Sequence, residues 1–397
     1  MSGSGATRAP LPLSAQIDDT KYRLSPRYSL SDHVHLVTDQ GDNLMTTNTN
    51  ITTAPAPEQQ VSGPPPDAQL LQIVGGAFLS QAAYVAAKLG ITDLLADGAK
   101  SIEYLSVATG THERSLYRVL RALAAAKVFT ELEDKRFANT PVSELLGSDH
   151  PRSLRDATIW MNEEPHWRVY GHLMHSVKTG ETAWEHVHGE PVFQYLFQTN
   201  KELGDIFNRA VTSYSHQSIG PVLDAYDFSD VTVIADIAGG YGHLLAAVLA
   251  SNPRAKGILF DLASVLEGAP SMLKSYGVPD RVEIVPGDFF REIPVRADLY
   301  ILKHIIHDWD DDRNRTILEN IRRNMPDHAR VLIVDAVVPD PNEPHFSKII
   351  DLEMLMAPGG VERTASEFAE LLDSAGLRLN RIIPTAGPVS IVEAVKV

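Results

Sequence analysis

Two histidines followed by a run of acids form the segment of this sequence with the clearest chemical potential. Residues 302–313 read L-K-H-I-I-H-D-W-D-D-D-R, which places His304 and His307 three residues apart. A histidine accepts a hydroxyl proton near neutral pH, so the segment predicts a general base. The same H-x-x-H-D array also offers nitrogen and oxygen ligands to a metal ion. For the acids at 310–312 we favour a helix cap and first helical turn, where carboxylates complement the helix dipole.

A glycine-rich turn is the second candidate site. Residues 233–242 read V-I-A-D-I-A-G-G-Y-G and run directly into a helical pattern. A buried strand, a turn and a helix N-terminus together form the floor of a nucleotide-like binding site. Without side chains, Gly240 and Gly242 let a ligand approach the backbone. We assign Asp236 and Gly239 to the same cofactor site.

The neighbouring residues favour S-adenosylmethionine over NAD as that ligand. The dinucleotide fingerprint G-x-G-x-x-G lacks its third glycine, because Leu245 occupies that position. An acid ends the next apolar run, at Asp261 in G-I-L-F-D-L. A carboxylate there can accept hydrogen bonds from both ribose hydroxyls of the cofactor.

Alternating strand and helix patterns position these residues. Further strands are expected at 257–260, 282–285, 298–302 and 330–334, with helices at 244–250, 265–276, 313–324 and 367–375. This alternation predicts an α/β fold, a parallel sheet with helices on both faces. Ligands bind outside the carboxyl ends of such strands. Asp236, Asp261, Asp288 and the histidine segment all fall on that edge.

Three regions are expected along the chain. Residues 1–67, rich in Ser, Thr, Pro, Gly, Asn and Asp, predict a disordered extension. Residues 68–170 begin with an apolar helix, expected to be buried, here against a second subunit. They continue with a helix at 111–126 and short strands at 128–132 and 136–138, a winged-helix layout. Residues 171–397 are expected to hold a helical lid and the cofactor-binding domain.

Composition argues against several classes of function. Asp and Glu total 51 against 35 Lys and Arg, for a formal net charge of -16, so we expect no nucleic-acid partner. The winged helix is then a packing platform rather than a DNA reader. The chain has 0 cysteines, which excludes disulfides, Cys-ligated zinc and a Cys nucleophile. We also find no run of 18 apolar residues, and therefore expect no membrane span and a cytoplasmic protein.

Aromatic and sulfur side chains concentrate in the predicted helical region at 140–225. Most are expected to pack in the core, but a helical lid between two domains is a natural place for a flat aromatic substrate. The residues expected to form the wall of this substrate site are Trp160, Met161, Trp167 and Met174. Asp308, next to His307, is expected to contact the same substrate.

Several motifs, in their order and spacing, resemble those of the small-molecule O-methyltransferases. They read I-A-D-I-A-G-G-Y-G, G-I-L-F-D-L, G-D-F-F, L-K-H-I-I-H-D-W-D-D and P-G-G-V-E-R-T. This class includes plant caffeic acid and hydroxyindole enzymes and bacterial polyketide and phenazine enzymes, and the likeness covers residues 68–397. It implies a Rossmann-like class I methyltransferase domain with a parallel-dominated sheet, preceded by a helical winged-helix dimerisation domain. It further implies a homodimer that methylates a hydroxyl of an aromatic small molecule.

The resemblance also assigns roles to individual residues. His307 resembles the family's catalytic base, with Glu362 and Asp335 as the two flanking acids, and no metal is then required. Asp335 is one methylene shorter than the glutamate of plant members, so a looser contact with His307 is expected. Ala238 replaces the first glycine of the usual turn, which is tolerable at a negative φ. The implied cofactor contacts are Asp261, Asp288, Phe289, Lys303, Gly240, Gly242 and Thr212.

Two other functions stay open. Relatives of this fold can act as decarboxylases or hydroxylases, usually where the base is lost, whereas His307 is present here. A winged-helix regulator that merely binds the cofactor would instead show salt-sensitive binding of duplex DNA.

Overall fold

The computed structural model describes residues 64–397. The predicted extension therefore lies outside the described residues over 1–63. Pro66 and Asp67, which we assigned to that extension, already belong to the first helix, α1 (Pro66–Lys88). Proline is favoured at the first helical position because its missing N–H has no partner there and its φ is preset.

The N-terminal part of the described chain is a small winged-helix unit. Besides α1 it contains α2 (Ile91–Leu94), β1 (Lys100–Ser101), α3 (Ile102–Thr109), α4 (Glu113–Ala125), β2 (Phe129–Leu132) and β3 (Arg136–Asn139). The strands form an antiparallel sheet in the order β1-β3-β2. The stripe Leu116, Leu120 and Leu123 of α4 is buried against Phe129 and Phe137, as its spacing predicts.

A series of helices follows, as expected for residues 140–225. They are α5 (Pro141–Glu144), α6 (Arg155–Asn162), α7 (Glu164–Tyr170), α8 (Leu173–Thr179), α9 (Ala183–His188), α10 (Val192–Gln194) and α11 (Lys201–Ala225). Trp160, Trp184 and Leu196 lie at the centre of their shared apolar core, which also takes in Met356 and Ala357 from the C-terminal part. This packing joins the helices to the segment that carries the candidate active site.

The C-terminal part is a sheet with helices on both faces. Its elements are β4 (Val233–Ile237), α12 (His243–Ser251), β5 (Lys256–Asp261), α13 (Ala269–Ser275), β6 (Val282–Pro286), β7 (Leu299–Lys303), α14 (Asp311–Asn324), β8 (Arg330–Asp335), β9 (Val337–Val338), α15 (Ser347–Met356), β10 (Arg363–Thr364), α16 (Ala365–Ser374), β11 (Leu377–Pro384) and β12 (Ser390–Lys396). The large sheet has 7 strands in the order β11-β12-β8-β7-β4-β5-β6. Strands β8, β7, β4, β5 and β6 are parallel, as the alternating pattern predicted. Two apolar clusters, one on each face, bury this sheet.

The last two strands were not assigned from the sequence. β12 pairs antiparallel with both β8 and β11. It lies inside the sheet rather than at its edge, so Ile391, Val392 and Ala394 are all fully buried. The sheet is thus parallel-dominated with an antiparallel end.

Helix α1 is largely exposed in the single chain. Leu71, Ile73 and Phe78 are 68%, 76% and 79% exposed on the helix for which we expected burial against a second subunit. Within residues 64–397, α1 is also the one helix long and apolar enough to cross a membrane, with a mean hydropathy of 1.5 over 18 residues. This property concerns length and composition only, and the helix is not the unbroken run of 18 apolar residues whose absence led us to expect no membrane span.

Candidate active site

His307 is held from behind by a glutamate. It lies in a short 3₁₀ turn at Ile306–Asp308, after β7. Its Nδ1 is 2.8 Å from Oε1 of Glu362, which is buried just before β10. The backbone N–H of Glu362 donates to Asp351 at 2.8 Å, and that of Val361 donates to the His307 carbonyl at 2.9 Å. Backbone contacts on both sides therefore fix the glutamate, which orients the imidazole and leaves Nε2 for other partners.

Asp335 reaches the same cluster from the end of β8, but its nearest imidazole partner is His304. Oδ1 of Asp335 lies 3.6 Å from Nδ1 of His304. Ligand atoms of His304, His307 and Asp335 all lie within 4.8 Å of one another. Within the described chain, neither Asp335 oxygen has a hydrogen-bond partner. The second acid expected at His307 is therefore near it without a direct hydrogen bond, and sequence reasoning missed the intervening role of His304.

The surrounding acids make His307 a strong base. Burial alone would lower its pKa, but the negative charges of Asp335, Asp308 and Glu362 raise the pKa to about 10. Burial raises the pKa of Asp335 to about 7, although His307 opposes this. Desolvation also raises the pKa of Asp308 to about 6. The cluster thus stabilises the imidazolium that forms once the neutral ring has accepted a proton.

The residues of the histidine segment differ in whether they could bind a metal ion. His304, His307 and Asp335 offer donor atoms close enough to share one ion. Glu362 already occupies Nδ1 of His307, so only Nε2 of that ring remains, and Asp308 lies 3.6 Å from it. Asp310 is instead the cap of α14 and accepts the Arg313 N–H at 2.8 Å, the role we favoured for the acids at 310–312.

The glycine-rich turn is closed by Asp261. Its Oδ2 accepts the Gly240 N–H at 2.8 Å and its Oδ1 accepts the Leu262 N–H at 2.7 Å. A Cβ at Gly239 would lie 2.5 Å from Cγ of Asp236, so this position requires glycine. At Gly240, with φ of 61°, a Cβ would meet nothing within 4 Å among the described residues. Space above the turn and lone pairs on Asp261 fit a ribose-bearing cofactor.

Ala238 does not keep the negative φ on which we made its tolerance depend. Its φ is 53°, in the left-handed region. An L-residue there costs roughly 1–2 kcal/mol relative to a right-handed conformation. Its N–H donates to the Phe260 carbonyl at 2.7 Å, which ties this strained residue to β5.

A half-buried lysine lies between the two candidate sites. Lys303 ends β7, and its Nζ donates to Oγ of Ser215 on α11 at 2.8 Å. Burial lowers the lysine pKa, while Asp236 and Asp335 raise it. Burial raises the pKa of Asp236 to about 7, and Lys303 counteracts that shift. The charges of the glycine turn and of the histidine cluster are therefore coupled through Lys303.

Three further cofactor candidates differ in how far the structure supports them. The Thr212 hydroxyl donates to the Asn208 carbonyl of its own helix at 2.9 Å, so its hydrogen is used locally. Ser215, one turn later on α11, is the residue that reaches Lys303, and sequence reasoning missed it. Asp288 follows β6 and accepts the Phe290 N–H at 2.9 Å. Phe289 packs edge-on against Phe290, with ring centroids 4.6 Å apart.

The aromatic wall candidates divide into core and surface residues. Trp160 is 5% exposed and packs 4.3 Å from the His166 ring, between centroids. Sulfur of Met161 accepts the Tyr170 hydroxyl at 3.7 Å, and the Trp167 and Tyr170 centroids are 5.5 Å apart. Met174 is 62% exposed on α8 and is not brought into this group. The concentration of aromatic and sulfur side chains that suggested Met174 does not show which face of a short helix is buried.

Comparisons with known proteins bear on both parts of the chain. Family models match an O-methyltransferase dimerisation domain over residues 71–149 and an O-methyltransferase domain over residues 170–378. The chain is similar to phenazine O-methyltransferase PhzM of Lysobacter antibioticus, with 47% identity over 325 residues, 82% of this chain and 95% of that protein. Identity to the mitomycin biosynthesis 6-O-methyltransferase of Streptomyces lavendulae is 41%, over 81% of this chain and 92% of that protein. The SAH-bound structure of CalO1, a methyltransferase in calicheamicin biosynthesis, matches with a TM-score of 0.75 and 35% identity, over 83% of this chain and 98% of that one.

Proposed function

Since the chain belongs to the O-methyltransferase family and is an S-adenosylmethionine-dependent enzyme of class I fold, we propose that it methylates a hydroxyl of an aromatic small molecule with His307 as general base. The observation that carries this proposal is the 2.8 Å contact between His307 and buried Glu362. The imidazole and the glycine turn lie at the same edge of the sheet. The proposal places an oriented base and the cofactor site along this one edge.

The proposed roles of this chain's residues follow from their contacts. When bound, the cofactor supplies a methyl group already activated on a sulfonium. Asp261 and the turn at Gly239–Gly242 would hold its ribose and methionine portions, with Asp288 and Phe289 at the adenine. Nε2 of neutral His307 takes the acceptor proton, since Nδ1 is bonded to Glu362. Glu362 and Asp335 stabilise the resulting imidazolium, and no step is assigned to a metal ion.

The acceptor is identified by following the methyl group. The full-length protein is incubated with methyl-labelled cofactor and a panel of a phenol, a flavonoid, a polyketide and a phenazine. Mass spectrometry is expected to find the label on the oxygen of an aromatic product. The rate of product formation is expected to be the same after dialysis of the enzyme against EDTA. Decarboxylated or hydroxylated products without the label contradict the proposal. A loss of activity after EDTA treatment that Zn²⁺ restores contradicts the metal-independent mechanism.

Asp261→Ala is expected to weaken cofactor binding by about 10–100-fold, the usual cost of losing hydrogen bonds to a charged group. The substitution removes the ribose acceptor and also frees the Gly240 N–H that Asp261 holds at 2.8 Å. Calorimetric titration with S-adenosylhomocysteine measures the effect. Asp280→Ala, at an exposed aspartate, is the control. Equal affinity in the two variants argues against a binding role for Asp261.

The rate of methyl transfer is expected to rise with pH. Because the pKa of His307 is raised to about 10, the imidazolium predominates at neutral pH. The neutral, reactive fraction then grows about tenfold per pH unit. Removing a negative neighbour lowers that pKa, so Glu362→Gln should move the rising limb to lower pH while reducing the plateau. Rate profiles at saturating cofactor test this, with Asp312→Asn at an exposed acid as control; a limb that does not move in Glu362→Gln contradicts the assignment.

We also propose that the exposed apolar face of α1 is a homodimer interface. The family model for dimerisation covers residues 71–149. A contiguous apolar patch on an isolated chain marks an interaction surface. Leu70, Leu71, Ile73, Val74 and Phe78 are each more than half exposed.

Phe78→Asp should convert a species of twice the 43.5 kDa chain mass into monomer. Burying the new carboxylate at an apolar contact costs several kcal/mol unless it is paired. Sedimentation velocity measures the mass. Val177→Asp, at a 66% exposed valine outside residues 71–149, should remain dimeric. A wild-type chain that sediments as a monomer, or binds vesicles through α1, refutes the interface.

A further inference from the structure

A buried acid and a buried histidine form a polar pair that the methyl-transfer scheme does not use. Glu353, on α15, is 8% exposed, and His166, on α7, is fully buried. Oε1 of Glu353 lies 2.7 Å from Nε2 of His166. Among residues 64–397, Oε2 of Glu353 has no hydrogen-bond partner. A buried carboxylate oxygen without a partner is costly, so a donor from a ligand is the expected complement.

The other ring nitrogen of His166 also has a partner. Nδ1 of His166 lies 3.0 Å from the backbone carbonyl oxygen of Trp160. A carbonyl only accepts, so Nδ1 carries a hydrogen. Nε2 lies 2.7 Å from Oε1 of Glu353, so the ring is positioned from both of its nitrogens. Oε2 of Glu353 remains an acceptor.

Glu353 lies near the acids that surround His307. The helix that carries it leads directly into the loop of Glu362, and the Val361 N–H on that loop donates to the His307 carbonyl at 2.9 Å. After burial, the charges of Glu362 and Glu353 both raise the pKa of Asp308, against the effect of His307. Burial and then the charge of Glu353 also raise the pKa of Tyr170 and Tyr214, whose hydroxyls stay neutral. Glu353 thus contacts the aromatic helix α7 and adds its negative charge to the surroundings of Asp308.

We propose that Glu353, oriented by His166, is a second anchor for the acceptor. Its Oε2 accepts a hydrogen bond from an O–H or N–H group at a ring position other than the hydroxyl that is methylated. The acceptor class is then a fused aromatic with at least two donor groups, such as a diol or an aminophenol. This inference rests on the proposed function and narrows its substrate. An acceptor with a carboxylate at that position would be disfavoured.

Matched ligands isolate the donor group. Naphthalenediols with the second hydroxyl on the other ring are compared with fluoronaphthols, in which fluorine replaces that hydroxyl without donating. Their Kd values are measured by calorimetry on the full chain saturated with S-adenosylhomocysteine. At least one isomer is expected to bind about 10–100-fold better as the diol, the range for a hydrogen bond to a charged group.

Two substitutions of Glu353 are expected to reduce the preference for the diol to different extents. Glu353→Met removes the acceptor and should bring the preference for the diol to about one, as it leaves no oxygen there. Glu353→Gln should retain part of the preference, because its amide N–H can face Nε2 of His166 and leave the amide oxygen toward the cleft. Glu185→Gln, at an exposed glutamate on α9, should match wild type. All variants should keep their affinity for S-adenosylhomocysteine. If Glu353 had only a structural role, its substitution would lower that affinity as well.

Three results overturn the inference: no diol binds wild type, every isomer binds as well as its fluoro analogue, or Glu353→Met keeps the preference. If Glu353→Met does not fold, an unchanged preference in Glu353→Gln has the same consequence. Failure of the proposed function is separate, because full methyl transfer by a His307→Ala enzyme contradicts the base whatever the ligand preference.

Discussion

Replacement of His307 by alanine is expected to slow methyl transfer about 10²–10⁴-fold, the usual contribution of a positioned general base. The imidazole is the basic side chain that Glu362 orients, at 2.8 Å. Without it the acceptor hydroxyl loses its proton only to water. Affinity for the cofactor should be largely kept, because Asp261 and the glycine turn belong to β5 and the segment after β4.

The measurements are single-turnover rates with labelled cofactor and calorimetry with S-adenosylhomocysteine. His328→Ala is the matched control, since that histidine is 71% exposed and pairs with Asp298 at 3.0 Å, away from the cluster. A His307→Ala enzyme with wild-type turnover would exclude this residue as the base. Equal losses of rate and of cofactor affinity would indicate a structural role instead.

Gly360→Ala is expected to reduce methyl transfer by about 100-fold or more without altering any side chain that reacts. A Cβ at Gly360 would overlap the carbonyl oxygen of His307 and backbone atoms of Asp308 and Trp309. Backbone atoms cannot rotate away as the end of a flexible side chain can. The histidine segment must move, and a displacement of about 1 Å at a reacting group can cost about 100-fold in rate. Overpacking of this kind also costs about 1–3 kcal/mol of stability.

Gly171→Ala controls for the added methyl group. A Cβ there meets its nearest atom, the Arg168 carbonyl, at 3.4 Å, and the residue has right-handed backbone angles. Rate and melting temperature should stay near wild type in this variant, while both fall for Gly360→Ala. Normal activity of Gly360→Ala would mean that the position of His307 does not depend on this backbone contact.

Much of the sheet and the edge that carries the candidate site was predictable because most of the parallel strands are apolar runs with a polar residue at or next to the carboxyl end. Asp236 and Asp261 follow this rule on β4 and β5. Their meeting at one edge is a property of parallel topology and needs no knowledge of side-chain contacts. The assignment of Glu362 depended on family resemblance rather than on the residues, since nothing local distinguishes one glutamate before β10 from another.

The features that escaped prediction arise from tertiary packing. His166 and Glu353 are separated by well over a hundred residues, and no local pattern couples two such positions. Likewise, the proximity of His304 to Asp335 depends on how β7 and β8 are paired. The positive φ of Ala238 accompanies a hydrogen bond to β5, whereas local propensity favours the opposite sign. Periodicity revealed the apolar character of α1 but not which molecule covers it.

The exposed face of α1 has a thermodynamic consequence. If two chains associate through it, mass action links folding to protein concentration, and each dilution removes part of the free energy that keeps the chain native. The melting temperature should then rise with enzyme concentration, and loss of activity on dilution should be reversed by reconcentration. The concentration of the protein would then determine the stability of each folded chain.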